Sequence, residues 1–258
     1  MKINYLIRVL TLAVFVFLFT QVNAQTGGVG AKPEKGAKLY LDGSKKSLEK
    51  NWIYWEGPRF STEMPIKWPE VADPISVGKS ISSNDPAGAG GKYGAADIVT
   101  KDEFADFRAH VEFLIKSEGG NSGVYLQNRY EVQVLDGDYG DHGMGALINE
   151  HIPTSEEYNG LGKWNAYDIV FRAARFKDGK LVEKPRATVY FNGVKIHEDK
   201  EISQVWGGPN SGLDGGNDNG KGITNSLGGL KLQAEGHDVL YRNIWIKKLS
   251  LEAPSTDF

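Results

Sequence analysis

Glu131 and Gln133 stand two apart in Tyr130-Glu131-Val132-Gln133-Val134-Leu135. In an extended strand, side chains two apart share a face, so this carboxylate and amide project together while Tyr130, Val132 and Val134 project oppositely. The apolar set reads as a core face. A carboxylate that can take up a proton, beside an amide that both donates and accepts hydrogen bonds, suits a cleft that grips a polyhydroxylated ligand. The same alternation also describes an antiparallel sheet with one wet face, and alternation by itself favours that plainer reading.

A later stretch repeats the pattern: Lys231, Gln233 and Glu235 share one face, Leu230, Leu232 and Ala234 the other. Two such strands could line one surface. Candidates for holding a ligand there are Asn121, Tyr125, Gln127 and Arg129 around the first stretch, and Gln233, Glu235 and His237 in the second. Trp206, which opens a Gly-rich segment, could stack on a sugar face, although tryptophans are more often core. For a metal, the pair to test first is Glu150-His151, a carboxylate beside an imidazole. The loop residues Asp136, Asp138, Asp141 and His142, and Asp214, Asn217 and Asp218 further on, have no defined ligand spacing. There is no HExxH, and DGGNDNG lacks the closing Glu of a calcium loop. His110, inside an apolar strand, reads as structural, and Arg242 as a buried, paired guanidinium. A two-acid glycosidase built on Glu131 and Asp136 meets a distance problem. Five strand steps span roughly 16 Å, whereas a retaining pair needs its carboxyl groups about 5–5.5 Å apart. GNSG at 120–123 is not a nucleophile elbow.

The elements that must position these residues read as many short strands. Alternating apolar runs recur at 104–115, 124–126, 130–135, 166–172, 187–191, 194–197, 230–235 and 239–249, with turn signals between them. Asn192-Gly193 is the strongest hairpin signal, since a type I′ turn needs positive φ at both central residues. Asp178-Gly179 marks another reversal. If Asn128-Arg129 is a two-residue turn, Glu131 lies opposite Leu126; a longer turn brings it beside Tyr125 or Gln127. The stretch from Pro58 to Asp85, with its prolines and few alternating runs, reads as a long loop, and 207–229 as a Gly-, Asn- and Asp-rich loop over one end of the domain. No long helical period is present. The pattern predicts an all-β sandwich or jelly roll of antiparallel sheets.

The first 24 residues read as a signal peptide: Lys2 and Arg8 flank the start of an apolar run that ends in the small-residue site Val22-Asn23-Ala24. Residues 25–36 read as a flexible leader, 37–252 as the domain and 253–258 as a tail. The expected location is periplasmic or extracellular. No later run reaches the roughly 20 apolar residues of a membrane helix. With no cysteine, stability must come from core burial. The net charge of −3 at pH 7 gives no footprint for nucleic acid. The expected partner is a small, uncharged molecule such as a carbohydrate, and nothing identifies a protein partner.

Three stretches together resemble the 3-keto-disaccharide hydrolase domain family: GGNSGVYLQNRYEVQVLD (119–136), GKWNAYDIVFRAARF with VYFNGVKIHED (162–176 and 189–199), and GGLKLQAEGHDVLYRNIWIKKL (228–249). The resemblance implies a concanavalin A-like jelly-roll sandwich. It also implies cleavage of the glycosidic bond of sugars already oxidised at carbon 3. There the ketone acidifies the carbon-2 hydrogen, a base removes it, the aglycone leaves and water adds back. Such a site needs one base, with a divalent metal ion or hydrogen-bond donors on the enolate oxygen. Glu131 and Gln133 lie in the matching YEVQ element and are carried over as base or metal ligand and as its support. Many members read LQDHG where this chain has Leu232-Gln233-Ala234-Glu235-Gly236, which leaves Glu235 or the shifted His237 for the histidine's role. A non-catalytic carbohydrate-binding module and a conventional two-carboxylate hydrolase are the alternatives.

Overall fold

The computed structural model describes residues 27–55, 66–84, 96–206 and 222–252. The signal segment, the tail and most of the Gly-rich loop lie outside the described residues. In chain order the strands are β1 (Lys38–Leu41), β2 (Trp52–Tyr54), β3 (Glu70–Ala72), β4 (Lys79–Ser82), β5 (Ile98–Thr100), β6 (Phe107–Ile115), β7 (Asn121–Leu126), β8 (Tyr130–Leu135), β9 (Asn165–Arg172), β10 (Arg175–Lys177), β11 (Lys180–Glu183), β12 (Arg186–Phe191), β13 (Val194–Glu201), β14 (Lys231–Leu232) and β15 (Val239–Lys248). The described helix, α1 (Lys45–Asn51), is capped by Ser44, whose side chain accepts from Ser47 N.

Two antiparallel sheets face each other. The larger runs β13-β12-β9-β6-β15-β4-β3, with β1 also on β15; the smaller runs β2-β5-β14-β7-β8. Their inner faces supply one core, including Phe107, Phe113, Phe171, Tyr241, Val124, Val132 and Leu232. Full burial of each such side chain contributes about 1.5–3 kcal/mol. The all-β sandwich expected from the alternation is the fold observed. Asn192 and Gly193, at φ 50° and 87°, turn β12 into β13 as the Asn-Gly signal requires. Part of the segment read as a loop instead forms β3 and β4; β4 pairs with β15 through Ser82 and Ile81. Strands of three and four residues are too short for alternation to reveal.

The reading of 25–36 as a flexible leader also needs correcting, because the described part of it is docked on the outer face of the larger sheet. Gly28 N donates to Asp168 Oδ2 at 2.6 Å, and Gly30 N to Glu112 Oε1 at 2.7 Å. Asn243 Nδ2 donates to Ala31 O at 2.9 Å. His110 lies between the two carboxylates, Nδ1 at 2.8 Å from Asp168 and Nε2 at 3.4 Å from Glu112. Its ring stacks on Trp245. Arg242 pairs with Glu112 and with Asp73. His110 and Arg242 thus take the structural places expected of them.

Candidate active site

The β7–β8 hairpin fixes the geometry of the site. Gln127 and Asn128 are both left-handed, at φ 49° and 63°, and Arg129 N closes the turn on Leu126 O at 3.0 Å. The three-residue turn sets Glu131 opposite Tyr125 and Gln133 opposite Gly123. β14 continues both rows: Lys231 pairs with Tyr125 on one side and Val99 on the other. The outer face of the smaller sheet therefore carries the row Glu131, Tyr125, Lys231, with Gln133, Gly123 and Gln233 beside it. Gly145–Ile148 hydrogen-bonds along β8, with Gly145 N on Gln133 O at 2.9 Å and Ile148 N on Glu131 O at 3.2 Å. This added segment shields β8 from being an open edge.

A hydrogen-bonded chain crosses this face between two acids. Tyr125 donates to the Glu131 carboxylate. Gln233 Nε2 donates both to the Tyr125 hydroxyl, at 3.1 Å, and to Glu235 Oε1, at 2.9 Å. Asn121 Nδ2 donates to Glu235 Oε2, while Asn121 N donates to His237 Nδ1 at 2.9 Å. That bond makes Nδ1 the acceptor and leaves the His237 ring proton on Nε2. Gln133 Oε1 accepts from Val134 N at 2.9 Å, which leaves its NH₂ end for a ligand oxygen.

Burial pushes the Glu131 carboxyl up to about 8, against the smaller opposing effects of the Tyr125 hydrogen bond and the Lys231 charge; Glu235 and Asp97 push it further up. Burial and the Asp97 charge likewise raise Glu235, against the bond from Asn121. Under Tyr125 lies an ion pair that the alternation did not single out: Lys231 Nζ is 2.8 Å from Asp97 Oδ2, and both side chains are fully buried. The ammonium sits 3.6 Å from the Tyr125 ring centroid and 5.1 Å from that of Trp55. Asp97 Oδ1 also accepts from Ala234 N at 2.9 Å.

Glu131, Gln133, Asn121, Tyr125, Gln233, Glu235 and His237 are thus brought together. Trp206 lies at the β8 side, where it borders a small pocket together with Glu131, Ile148 and Ile202. Gln127 and Arg129 are not ligand-facing as expected. Gln127 Nε2 donates to Phe104 O at 2.8 Å, and Arg129 Nη1 to Gln127 O at 2.9 Å, with Ser226 O and Leu227 O further out. Two left-handed residues break the strand alternation on which that expectation rested, and both side chains brace the turn.

The expected Glu150-His151 metal pair is also corrected. Glu150 accepts from Ser203 N at 2.7 Å, Gln204 N at 3.2 Å and Trp206 Nε1 at 2.9 Å. His151 Nε2 lies 2.8 Å from Glu201 O, the contact of a ring donor with a carbonyl. The carboxylate is a clamp for 203–206, and among the described residues no three His, Cys, Asp or Glu side chains gather as metal ligands. Asp136 accepts from Gly119 N in the connection after β8, consistent with its exclusion from a two-acid scheme.

Residues 36–247 match the profile of the 3-keto-alpha-glucoside-1,2-lyase-like domain. The chain belongs to this family. Two crystal structures from Parabacteroides distasonis ATCC 8503, both described as candidate glycosyl hydrolases, resemble the lyase-like domain. One is 28% identical over 83% of this chain and 84% of its own, with a TM-score of 0.62. The other is 20% identical over 83% and 95%, with a TM-score of 0.52, a likeness of fold. No curated protein matches the chain. The lyase-like domain is a carbohydrate-active protein of the glycosyl hydrolase kind, and its family match spans all the strands that build the Glu131 face.

Proposed function

We propose that the protein cleaves the glycosidic bond of 3-keto-glycosides, 3-keto-disaccharides among them, by removing the carbon-2 proton, eliminating the aglycone and adding water. The observation that carries this is the Glu131 carboxyl, buried and raised to about 8, in a row with a hydroxyl donor. A base removing a proton next to a ketone works best when its own proton affinity lies near the working pH. Glu131 takes the proton from carbon 2, the electron pair moves onto the carbon-3 oxygen as an enolate, and its return expels the oxygen at carbon 1. Water then adds at carbon 1 and a proton returns to carbon 2. Gln133 and Asn121 offer amides to sugar hydroxyls, and the Trp206 ring borders a small pocket on the β8 side of Glu131. The reading includes export, on the strength of the charged and apolar pattern of residues 1–24.

One observation favours a second reading. Glu131 and Glu235 are two acids joined through Tyr125 and Gln233, a pair that a conventional hydrolase could use. Purified protein is to be given a 3-keto-disaccharide and the same disaccharide unoxidised. Release of 3-keto-glucose from the first alone supports elimination; hydrolysis of the unoxidised sugar alone supports the two-carboxylate route. Binding of both without turnover would leave a binding module.

A further inference from the structure

We propose that Tyr125 is the hydrogen-bond donor that reads the carbon-3 ketone and holds the enolate oxygen, and so decides between oxidised and unoxidised sugars. This rests on the 3-keto-glycoside reading above.

Three features of the face point to Tyr125. Tyr125 is paired with the base across the strands and its hydroxyl bonds the Glu131 carboxylate, so a sugar whose carbon 2 meets Glu131 has carbon 3 within reach of it. The hydroxyl hydrogen has a defined direction: the oxygen accepts from Gln233 Nε2 at 3.1 Å, and the hydrogen is given to Glu131. Finally, the Lys231 ammonium lies 3.6 Å from the ring centroid, fixed there by Asp97, where its field favours negative charge drawn towards the phenol oxygen.

Of the other polar groups on the face, the Gln133 NH₂ is beside the base on its own strand and is left for a sugar hydroxyl, and the rest are committed. Both Glu235 oxygens accept from amides, and the Lys231 ammonium is buried beneath the ring. A ketone oxygen only accepts, so it can draw the Tyr125 hydrogen away from Glu131. That exchange removes the bond which restrains the proton affinity of Glu131, and the base gains strength when the correct substrate arrives. In the step itself the carbon-2 hydrogen passes to Glu131 and the C–H electron pair becomes the carbon 2–carbon 3 double bond. The carbonyl pair moves to the oxygen held by Tyr125. No other reactant is needed. A carbon-3 hydroxyl can also accept from Tyr125, but it cannot take up the C–H electron pair, so no oxyanion forms for Tyr125 to hold.

The test is Tyr125→Phe, read three ways. With 3-keto-glucosides bearing a good and a poor leaving group, turnover should fall roughly 10²–10³-fold for both, as for loss of one oxyanion donor. Exchange of the carbon-2 hydrogen with deuterated solvent should fall in parallel. In a Glu131→Gln background, which does not turn over, calorimetry should show that the preference for a 3-keto-glucoside over the plain glucoside shrinks when Tyr125→Phe is added. The proposal is overturned if wild-type turns over and Tyr125→Phe keeps full carbon-2 exchange, or loses rate only with the poor leaving group, which would make Tyr125 an acid for the aglycone. If wild-type itself leaves every 3-keto-glycoside intact, the function proposed above fails, and the inference with it.

Discussion

Gly123 lies beneath the Glu131 carboxylate: a Cβ on Gly123 would overlap Glu131 Oε1 and stand 2.9 Å from Tyr125 Cε2. The glycine is thus required by the side chain lying diagonally across the strand pair and not by its own backbone, which shows no positive φ. Because the overlapped atoms belong to the end of a flexible side chain, Gly123→Ala should displace the carboxylate more than the fold. We expect kcat to drop at least tenfold while Tm changes by no more than a few degrees. Equal activity in the variant would show that the carboxylate's position over Gly123 does not matter.

Glu131 ties activity and stability to pH in opposite senses. As a base it must be ionised, so kcat/KM should rise with pH and reach half its maximum near 8. For stability, the folded carboxyl holds its proton above the unfolded range, so the folded chain binds more protons between about 4.5 and 8. Its contribution is therefore fully present below pH 4.5 and lost as pH rises through 8, a cost on the order of 5 kcal/mol. Glu131→Gln should raise Tm at pH 9 and have little effect at pH 4. Thermal melts at the two pH values check this; a loss of Tm at pH 9 contradicts it.

The docked 27–31 segment has its own pH window. Burial alone would lower His110, but its bonds to Asp168 and Glu112 outweigh burial and raise it. Burial alone would raise Glu112, yet bonds from His110, Asn243 and Arg242 hold it at about 2. The His110 contribution is complete below pH 6.5 and lost as pH rises through the raised folded value. That of Glu112 is complete above pH 4.5 and lost towards pH 2. Amide hydrogen exchange at Gly28 and Gly30 should be slowest between those limits. His110→Phe, which removes the imidazole between the carboxylates, should speed exchange there. Unchanged exchange would mean that the cluster does not hold the segment.

Glu150 should act through Trp206. Glu150→Ala removes the acceptor of three N–H groups and should free the indole, raising KM several-fold with little change in kcat. Metal content measured on the purified variant should match wild-type. A lower metal content in the variant would restore the ligand role that the hydrogen bonds argue against.

Much of this site was legible from alternation, because Glu131 and Gln133 sit in a regular strand with an apolar opposite face; the run at 230–235 is a strand only over Lys231–Leu232, and Gln233 beyond it still bonds β7 through Gly123 O. Gln127 and Arg129 were misread where two left-handed residues end that regularity. Asp97 was invisible for another reason: it precedes a three-residue strand, and its partner Lys231 is 134 positions away, so only the β5–β14 pairing joins them. The leader was misread because its anchoring is entirely tertiary. Glycine-rich sequence without periodicity looks flexible, yet a Cβ at Gly27 would crowd Asp168 Oδ2, so the small residues here permit close docking. The register of Glu131 against Tyr125 turned on turn length, which composition left open.

The central claim is that Glu131 removes the carbon-2 proton of a 3-keto-glycoside. The direct measurement is turnover of a 3-keto-glucoside in deuterated water, with the product and recovered substrate examined by NMR. The account predicts deuterium at carbon 2 of the released 3-keto-glucose with wild-type protein, and neither product nor exchange with Glu131→Gln. Release of 3-keto-glucose that keeps its original carbon-2 hydrogen would contradict it.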